Sequence, residues 1–322
     1  MQKILVIKHN DIGEFIHSIG AFSAIRKKHS KASITLLTTK KLAELAALTG
    51  FFDKIWVDDI PEFWNISAII SMSKKLSGQK FDMIYDLERS FRSNMYFRIM
   101  GRKKPNWSGA IGWCSHPYIP PRRKYMHIVD RNFNQLAAAG IKRVPESDIS
   151  WLTGDISKFK LPQNFVIIAP GLVKGGEKES DSFAELAEWF AKEGVTPVFI
   201  GSRGEKYAVE SVIDKCKGAK VINLAGKAGF AEVAEMARGA IVAVGGDSDM
   251  MYVAAATYCP TVMILPSNSK SYYKIPFGEY VEIISKQDMQ DLDLEEVTDA
   301  IDAVLPPETL DSTEKQPKTQ QS

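Results

Sequence analysis

The chain has 322 residues, 45% hydrophobic and 25% charged, the proportions of a globular protein long enough for two domains with cores of their own. Its 41 basic and 39 acidic residues leave a net charge of +2, which removes any global argument for nucleic acid and confines a basic partner surface to a local patch. Three cysteines without CxxC pairing, no secretory pattern in "MQKILVIKHND" and no apolar run near the ~20 residues a bilayer requires predict a cytoplasmic protein that can touch a membrane without crossing it.

In chain order, "KILVI" (3–7), "SITLLT" (33–38), "DKIWVD" (53–58) and "FDMIYD" (81–86) read as short strands, separated by helical spacing such as "AFSAIRKKH" and "KLAELAAL". Strand alternating with helix predicts a parallel sheet with right-handed crossovers. From 100 to 130, "PNWSGAIGWCSHPYIPPRRKYMH" breaks this pattern with Pro, Gly, Trp and His and reads as a long ordered loop. A second α/β series starts at "NFVIIAPG" (164–171) and continues through "TPVFIG", "KVINLAG", "AIVAVGG" and "PTVMILP" with helices between. A hinge in "WLTGDISKFKLPQ" (151–163) divides a first Rossmann-like domain, 1–155, from a second, 156–305, with a cleft expected between their sheets. The polar "PPETLDSTEKQPKTQQS" (306–322) reads as a disordered tail.

The turns carry the chemistry. In "KHNDIGEFIHSIG" (8–20) Gly13 and Glu14 stand where a strand hands over to a helix, at the edge where open α/β sheets bind ligands. Facing a cleft, Glu14 can take a proton from a bound hydroxyl; otherwise it complements a helix N-terminus. "AVGGDSDMMYVAAA" (243–256) aims backbone N–H groups at its turn, which suits a phosphate, or is ordinary capping by Asp247 or Ser248. Its Asp-x-Asp pair, Asp247 and Asp249, reads as a helix cap rather than a metal site. "APGLVKGGEK" (169–178) offers Gly171, Lys174 and Lys178 to a diphosphate, or is a solvated loop. Glu205 in "IGSRGEKYAVE" (200–210) can bind ribose hydroxyls. Neither half contains GxGxxG or GxxxxGK[ST], which argues against a standard dehydrogenase and a P-loop NTPase. Arg89, Arg92, Arg98, Arg102, Lys103, Lys104, Arg122, Arg123 and Lys124, flanked by His116 and His127, form a basic cluster that either meets phosphates and carboxylates of an anionic acceptor or is a solvated face.

Taken together, "ILVIKHNDIGEFIHSIGAFSAIR", "DMIYDLERSFRSNMYFRIMG", "WSGAIGWCSHPY", "MHIVDRNFNQLAAAGI", "IIAPG", "FIGSRGE" and "AVGGDSDMMYVAAATYCPTVMIL" resemble the bacterial heptosyltransferase family, glycosyltransferase family nine, up to about residue 304, and most of all its alphaproteobacterial-type branch. The resemblance implies an α/β protein of the glycosyltransferase B-type fold, two facing Rossmann-like domains, with the acceptor on the first and the nucleotide-sugar donor on the second. It implies inverting transfer of heptose from ADP-heptose, without metal or cofactor, to the lipopolysaccharide inner core, an anionic glycolipid met at the inner leaflet. The family's proposed base falls on Glu14, beside Gly13, and its diphosphate lysine on Lys178, with Lys174 as rival. Gly171 and the ribose acid Glu205 complete the donor side with Asp247, Ser248, Asp249, Met250 and Tyr252 of the Asp-Thr-Gly-x-x-His signature. The acceptor side takes His17, Arg89, Arg92, His116, Arg122 and Arg123. Four departures stand out: Glu14 for Asp, Asp249 for Gly, Tyr252 for His, and "LPSNSKSYYKIP" in place of Gly-Pro-Thr-x-Pro. They leave open a member that binds nucleotide or glycan without catalysis.

Overall fold

The computed structural model describes residues 1–9, 11–58, 65–101, 103–171, 177–267, 269–276, 280–287 and 292–305, without the side chains of 124, 177–180, 270 and 271. The tail expected at 306–322 lies outside the described residues. Two compact units divide the chain. Unit 1 is Met1–Trp151 with Tyr272–Lys274, and unit 2 is Leu152–Ser271 with Ile275–Ser322.

Unit 1 is built on strands β1 (Lys3–Ile7), β2 (Ser33–Thr38), β3 (Lys54–Val57), β4 (Met83–Asp86), β5 (Asn106–Gly109) and β6 (His116–Pro117). All pair in parallel, in the order β3-β2-β1-β4-β5-β6, with Ile4 opposite Ile34 on one side and Met83 on the other. The central strand has no polar face. Ile4, Leu5, Val6 and Ile7 are all fully buried, because crossover helices cover both sides of a parallel sheet. The loop expected between 100 and 130 contains β5 and β6, two further strands of this sheet. Their Asn, Ser, Gly, His and Pro have little β-propensity, and packing supplies what propensity does not. Trp107 is fully buried against Phe97, with ring centroids 5.2 Å apart, and an anchor of that size is worth about 3–5 kcal/mol against Ala.

Unit 2 repeats the plan with β7 (Phe165–Ala169), β8 (Thr196–Phe199), β9 (Ile222–Asn223), β10 (Ala243–Gly245), β11 (Thr261–Pro266) and β12 (Val281–Lys286) in the order β12-β11-β10-β7-β8-β9. Its core joins Val166, Ile168, Phe199, Val244 and Ile264 of the sheet to Phe183, Leu186 and Phe190 of the helix Glu177–Lys192. Gly245 and Gly246 close the approach of β10 to β7: a Cβ on them would meet Ala169 O at 2.2 Å and Pro170 O at 2.7 Å. Only glycine fits there. In each sheet the chain runs outward on one side and then returns to the other, so the strand order switches between β1 and β4 in unit 1 and between β10 and β7 in unit 2. The carboxyl ends at those switches are where such sheets receive ligands.

Candidate functional site

The switch in unit 1 gathers buried charge. Lys8, directly after β1, is fully buried, forms an ion pair with Glu14 and lies 3.9 Å from Glu88. A lysine without solvent requires carboxylates within reach, and both supply them. Glu88, after β4, also accepts from the His9 N–H at 2.9 Å, which ties the two strand ends together. Glu14 sits on the helix Ile12–Ile16 and is 3% exposed; Asp11 caps this helix by accepting from the Glu14 N–H at 2.9 Å. Gly13, one residue before, gives its carbonyl to the His17 N–H.

Arg89 follows the same switch in a left-handed conformation, φ 55°, which turns its side chain into the unit. It donates to Gln135 Oε1 at 2.9 Å and Asn132 Oδ1 at 3.0 Å, both on the helix Ile128–Ala138. The Asn132 amide donates to Ser18 Oγ at 3.0 Å, and Ser18 donates to the Glu14 carbonyl at 2.7 Å. A continuous hydrogen-bonded chain thus links Arg89 to the backbone of Glu14. Burial pulls the guanidinium down to about 10, so it stays charged at neutral pH. Arg131, on the same helix, leaves Nε and Nη2 without hydrogen-bond partners among the described residues and stacks on Tyr273 at 4.8 Å.

Asp86 ends β4 with no exposure, and burial, opposed by hydrogen bonds from the Arg89 N–H and Ser93, lifts its carboxyl from 3.8 to about 6. The folded chain therefore holds a proton that the unfolded chain has released. That contribution to stability is fully present below about pH 4 and lost as pH rises through about 6. Asp86→Asn is expected to lack this component, so its unfolding free energy gains on the wild type between pH 4 and 6 and runs parallel above 7 in chemical denaturation. Parallel curves throughout would show that Asp86 does not titrate there.

The basic cluster is not one surface. Arg89 is interior, and Arg92 is committed to Asp58 through two hydrogen bonds of 2.9 and 2.7 Å, with the Tyr96 hydroxyl donating to the same carboxylate. Both guanidiniums are therefore paired inside unit 1, Arg92 with Asp58 and Arg89 with Asn132 and Gln135. His116 lies in β6, with Nδ1 2.9 Å from Ser115 Oγ. Arg122 is exposed at φ 63° and Arg123 is half-buried in the turn Arg123–Tyr125. His17 belongs with Glu14: it is the C-cap of the same helix, and its ring meets that of His127 at 5.1 Å. Arg102 and the Lys124 side chain lie outside the described residues. Lys8, Glu88, Arg131, Asn132, Gln135, Tyr273 and Lys274 were not singled out by sequence. Only Lys8 leaves a signal there, a lysine directly after the apolar run Ile4–Ile7.

In unit 2, Gly171 at φ 76° lies beside the Asp247 backbone, 3.6 Å from where its Cβ would be, so the ends of β7 and β10 meet at the switch. Ser248 caps the helix Asp249–Ala255, accepting from the Met250 N–H at 3.4 Å, while its own N–H donates to Gly246 at 2.8 Å. Two of the N–H groups offered to a phosphate are therefore used by the turn itself, as capping requires. Tyr252 is buried and donates to Asp247 Oδ1 at 2.9 Å. Glu205 precedes the helix Lys206–Ile213, is 7% exposed and accepts from the Ser202 N–H at 2.6 Å. Lys174 lies outside the described residues; Lys178 has its backbone in the helix Glu177–Lys192 and its side chain outside them. Among the described residues no group of three or more His, Cys, Asp or Glu is placed to hold a metal ion.

Comparisons agree with this architecture. The family model described as glycosyltransferase family 9 (heptosyltransferase) matches residues 69–301. A family 9 glycosyltransferase of Veillonella parvula superposes with a TM-score of 0.76 at 17% identity, covering 94% of this chain and 97% of that one. The E. coli ADP-heptose LPS heptosyltransferase II gives 0.74 at 19%, over 94% and 98%. E. coli heptosyltransferase WaaC, solved with ADP-2-deoxy-2-fluoro heptose, gives 0.71 at 15%, over 94% and 99%. At these identities the likeness is one of fold, the two-sheet architecture of B-type glycosyltransferases. A Haemophilus influenzae protein provisionally assigned as a glycosyltransferase is 22% identical over 170 residues, 53% of this chain and 44% of that protein. The match thus spans less than half of that relative.

Proposed function

Because the chain belongs to glycosyltransferase family 9, the heptosyltransferases, we propose that it is an inverting, metal-independent transferase acting on a nucleotide-sugar donor, ADP-heptose the first candidate. The acceptor would be an inner-core lipopolysaccharide or related anionic glycan. The observation that carries the reading is Glu14 with its buried counter-ion Lys8 at the carboxyl end of β1. An attacking acceptor hydroxyl forms the new bond to the sugar's anomeric carbon, the bond to the diphosphate breaks with its electron pair leaving on ADP, and Glu14 takes the hydroxyl proton. The base must begin as a carboxylate, and the Lys8 ammonium supplies its counter-charge. In unit 2, Gly171, Asp247, Ser248, Asp249, Met250 and Tyr252 would form the diphosphate turn, Lys174 or Lys178 would supply its cation, and Glu205 would orient the ribose.

Brief contact with the inner leaflet is supported by exposed Trp113, Ile119 and Tyr125 near Arg122 in sequence, with the Arg98 guanidinium 5.6 Å from the Trp113 ring. No helix among the described residues is long and apolar enough to cross a membrane.

One set of observations favours a second reading, a nucleotide- or glycan-binding member without turnover. Glu14 is committed to Lys8, and two N–H groups of the unit 2 turn are already engaged. Calorimetric titration with ADP, against UDP, GDP and NAD, with and without magnesium, tests the donor assignment. Micromolar ADP binding without metal is expected. Binding only with magnesium would contradict the metal-independent site, and binding of a different nucleotide would replace ADP as the donor.

A further inference from the structure

The geometry points to Tyr273 and Lys274 as positioning residues for Glu14, an inference that rests on the reading of Glu14 as the base. Both belong to Tyr272–Lys274, the stretch of unit 1 that is remote from the rest of it along the chain. They lie in "LPSNSKSYYKIP", where the resembled family carries a different motif.

The helix bearing Glu14 has five residues, Ile12–Ile16, too few to hold itself in water. Lys274 grips it at both ends. Its Nζ is 2.8 Å from Asp11 Oδ2, while the other Asp11 oxygen caps the helix through the Glu14 N–H. The Lys274 carbonyl lies 2.7 Å from Nε2 of His17, the C-cap residue. A carbonyl only accepts, so that nitrogen carries the proton. Burial first, then the neighbouring His127, hold His17 down to about 4, which leaves the ring a neutral donor at neutral pH.

Tyr273 addresses the carboxylate itself. Burial first, then the charge of Glu14 and a hydrogen bond to it, keep the Tyr273 phenol protonated well above the ordinary range. Its ring carries the Arg131 guanidinium at 4.8 Å. Glu14 is thus faced by Lys8 from the end of β1, Arg89 from the turn after β4, Arg131 from the helix Ile128–Ala138 and Tyr273, with Asp11 on its own helix. Replacing Tyr273 by Phe leaves the three cations in place and removes one hydrogen bond to the ionised form. Replacing Lys274 by Met removes the ammonium from Asp11, and with it the tie at the helix N-terminus, while the backbone tie to His17 stays. The first change alters the proton affinity of Glu14 and the second its aim.

The test uses the full chain with carboxyl-labelled glutamate, the Glu14 resonance being the one lost in Glu14→Gln. In Tyr273→Phe its titration midpoint is expected to rise by about one pH unit, because a donor to the charged form is gone. The acid limb of kcat for ADP-heptose with an inner-core glycolipid should move the same way. In Lys274→Met, amide exchange across 12–17 should quicken by at least roughly tenfold. Its kcat should fall on the order of 10- to 100-fold with little change in donor KM, and Lys274→Arg should restore part of it. An unmoved midpoint in Tyr273→Phe overturns the inference, and that variant carries the test alone if Lys274→Met does not fold. Turnover surviving in Glu14→Gln would instead remove the base reading, while midpoint and exchange still judge the clamp independently.

Discussion

Glu14→Gln is expected to lower kcat on the order of 100- to 10,000-fold while leaving ADP affinity unchanged, since the amide keeps the shape of the side chain but accepts no proton. The residues assigned to the nucleotide all lie in unit 2, Gly13 excepted, so binding and turnover should separate. Glu14→Asp supplies the graded case. It retains the carboxylate but draws it back by one methylene, and a displacement of about 1 Å costs on the order of 100-fold. The predicted order of rates is therefore wild type, Glu14→Asp, Glu14→Gln. An Asp variant as slow as the Gln variant would mean that reach matters as much as charge; a Gln variant near wild-type rate would remove Glu14 from the chemistry. Lys8 keeps Glu88 at 3.9 Å in the Gln variant, so the fold should persist.

The largest effect on stability is expected at Lys8. Lys8→Met leaves the Glu14 carboxylate, 3% exposed, without its ammonium, and breaking a buried pair from one side costs about 3–5 kcal/mol. The double variant Lys8→Met, Glu14→Gln removes both charges and should recover most of that loss, because a thioether beside an amide has no ion to desolvate. Glu14→Gln alone should cost less than Lys8→Met, since the lysine keeps a second carboxylate, Glu88, at 3.9 Å. Urea unfolding followed through the buried Trp107 of unit 1 reads all four corners of this cycle. A double variant as unstable as Lys8→Met would show that the penalty comes from packing rather than from charge.

The features legible in the sequence are those carried by continuous apolar runs. β1, β2, β7 and β11 are buried on both faces, and runs rich in Ile, Leu and Val record that directly. The strand-to-helix turns after them, and with them Glu14 and the Asp247–Tyr252 turn, follow from where those runs stop. β5 and β6 were hidden because strands of four and two residues made of Asn, Trp, Ser, Gly, His and Pro have no period to read. The partners of Arg89 and Arg92 are illegible for a different reason. Sequence counts charges but cannot see that Asp58 lies 34 residues from Arg92, or that Asn132 and Gln135 lie 43 and 46 from Arg89, yet all meet inside the unit. The ties from Lys274 to Asp11 and His17, 263 and 257 residues away, are beyond any local pattern.

The most direct measurement is acceptor-dependent release of ADP from ADP-heptose, with an inner-core glycolipid as acceptor and the anomeric configuration of the product read by NMR, run in parallel on wild type and Glu14→Gln. The account predicts ADP release only when both substrates are present, a product of inverted configuration, and near-complete loss in the variant. Retained configuration, or equal rates in the two proteins, would contradict it.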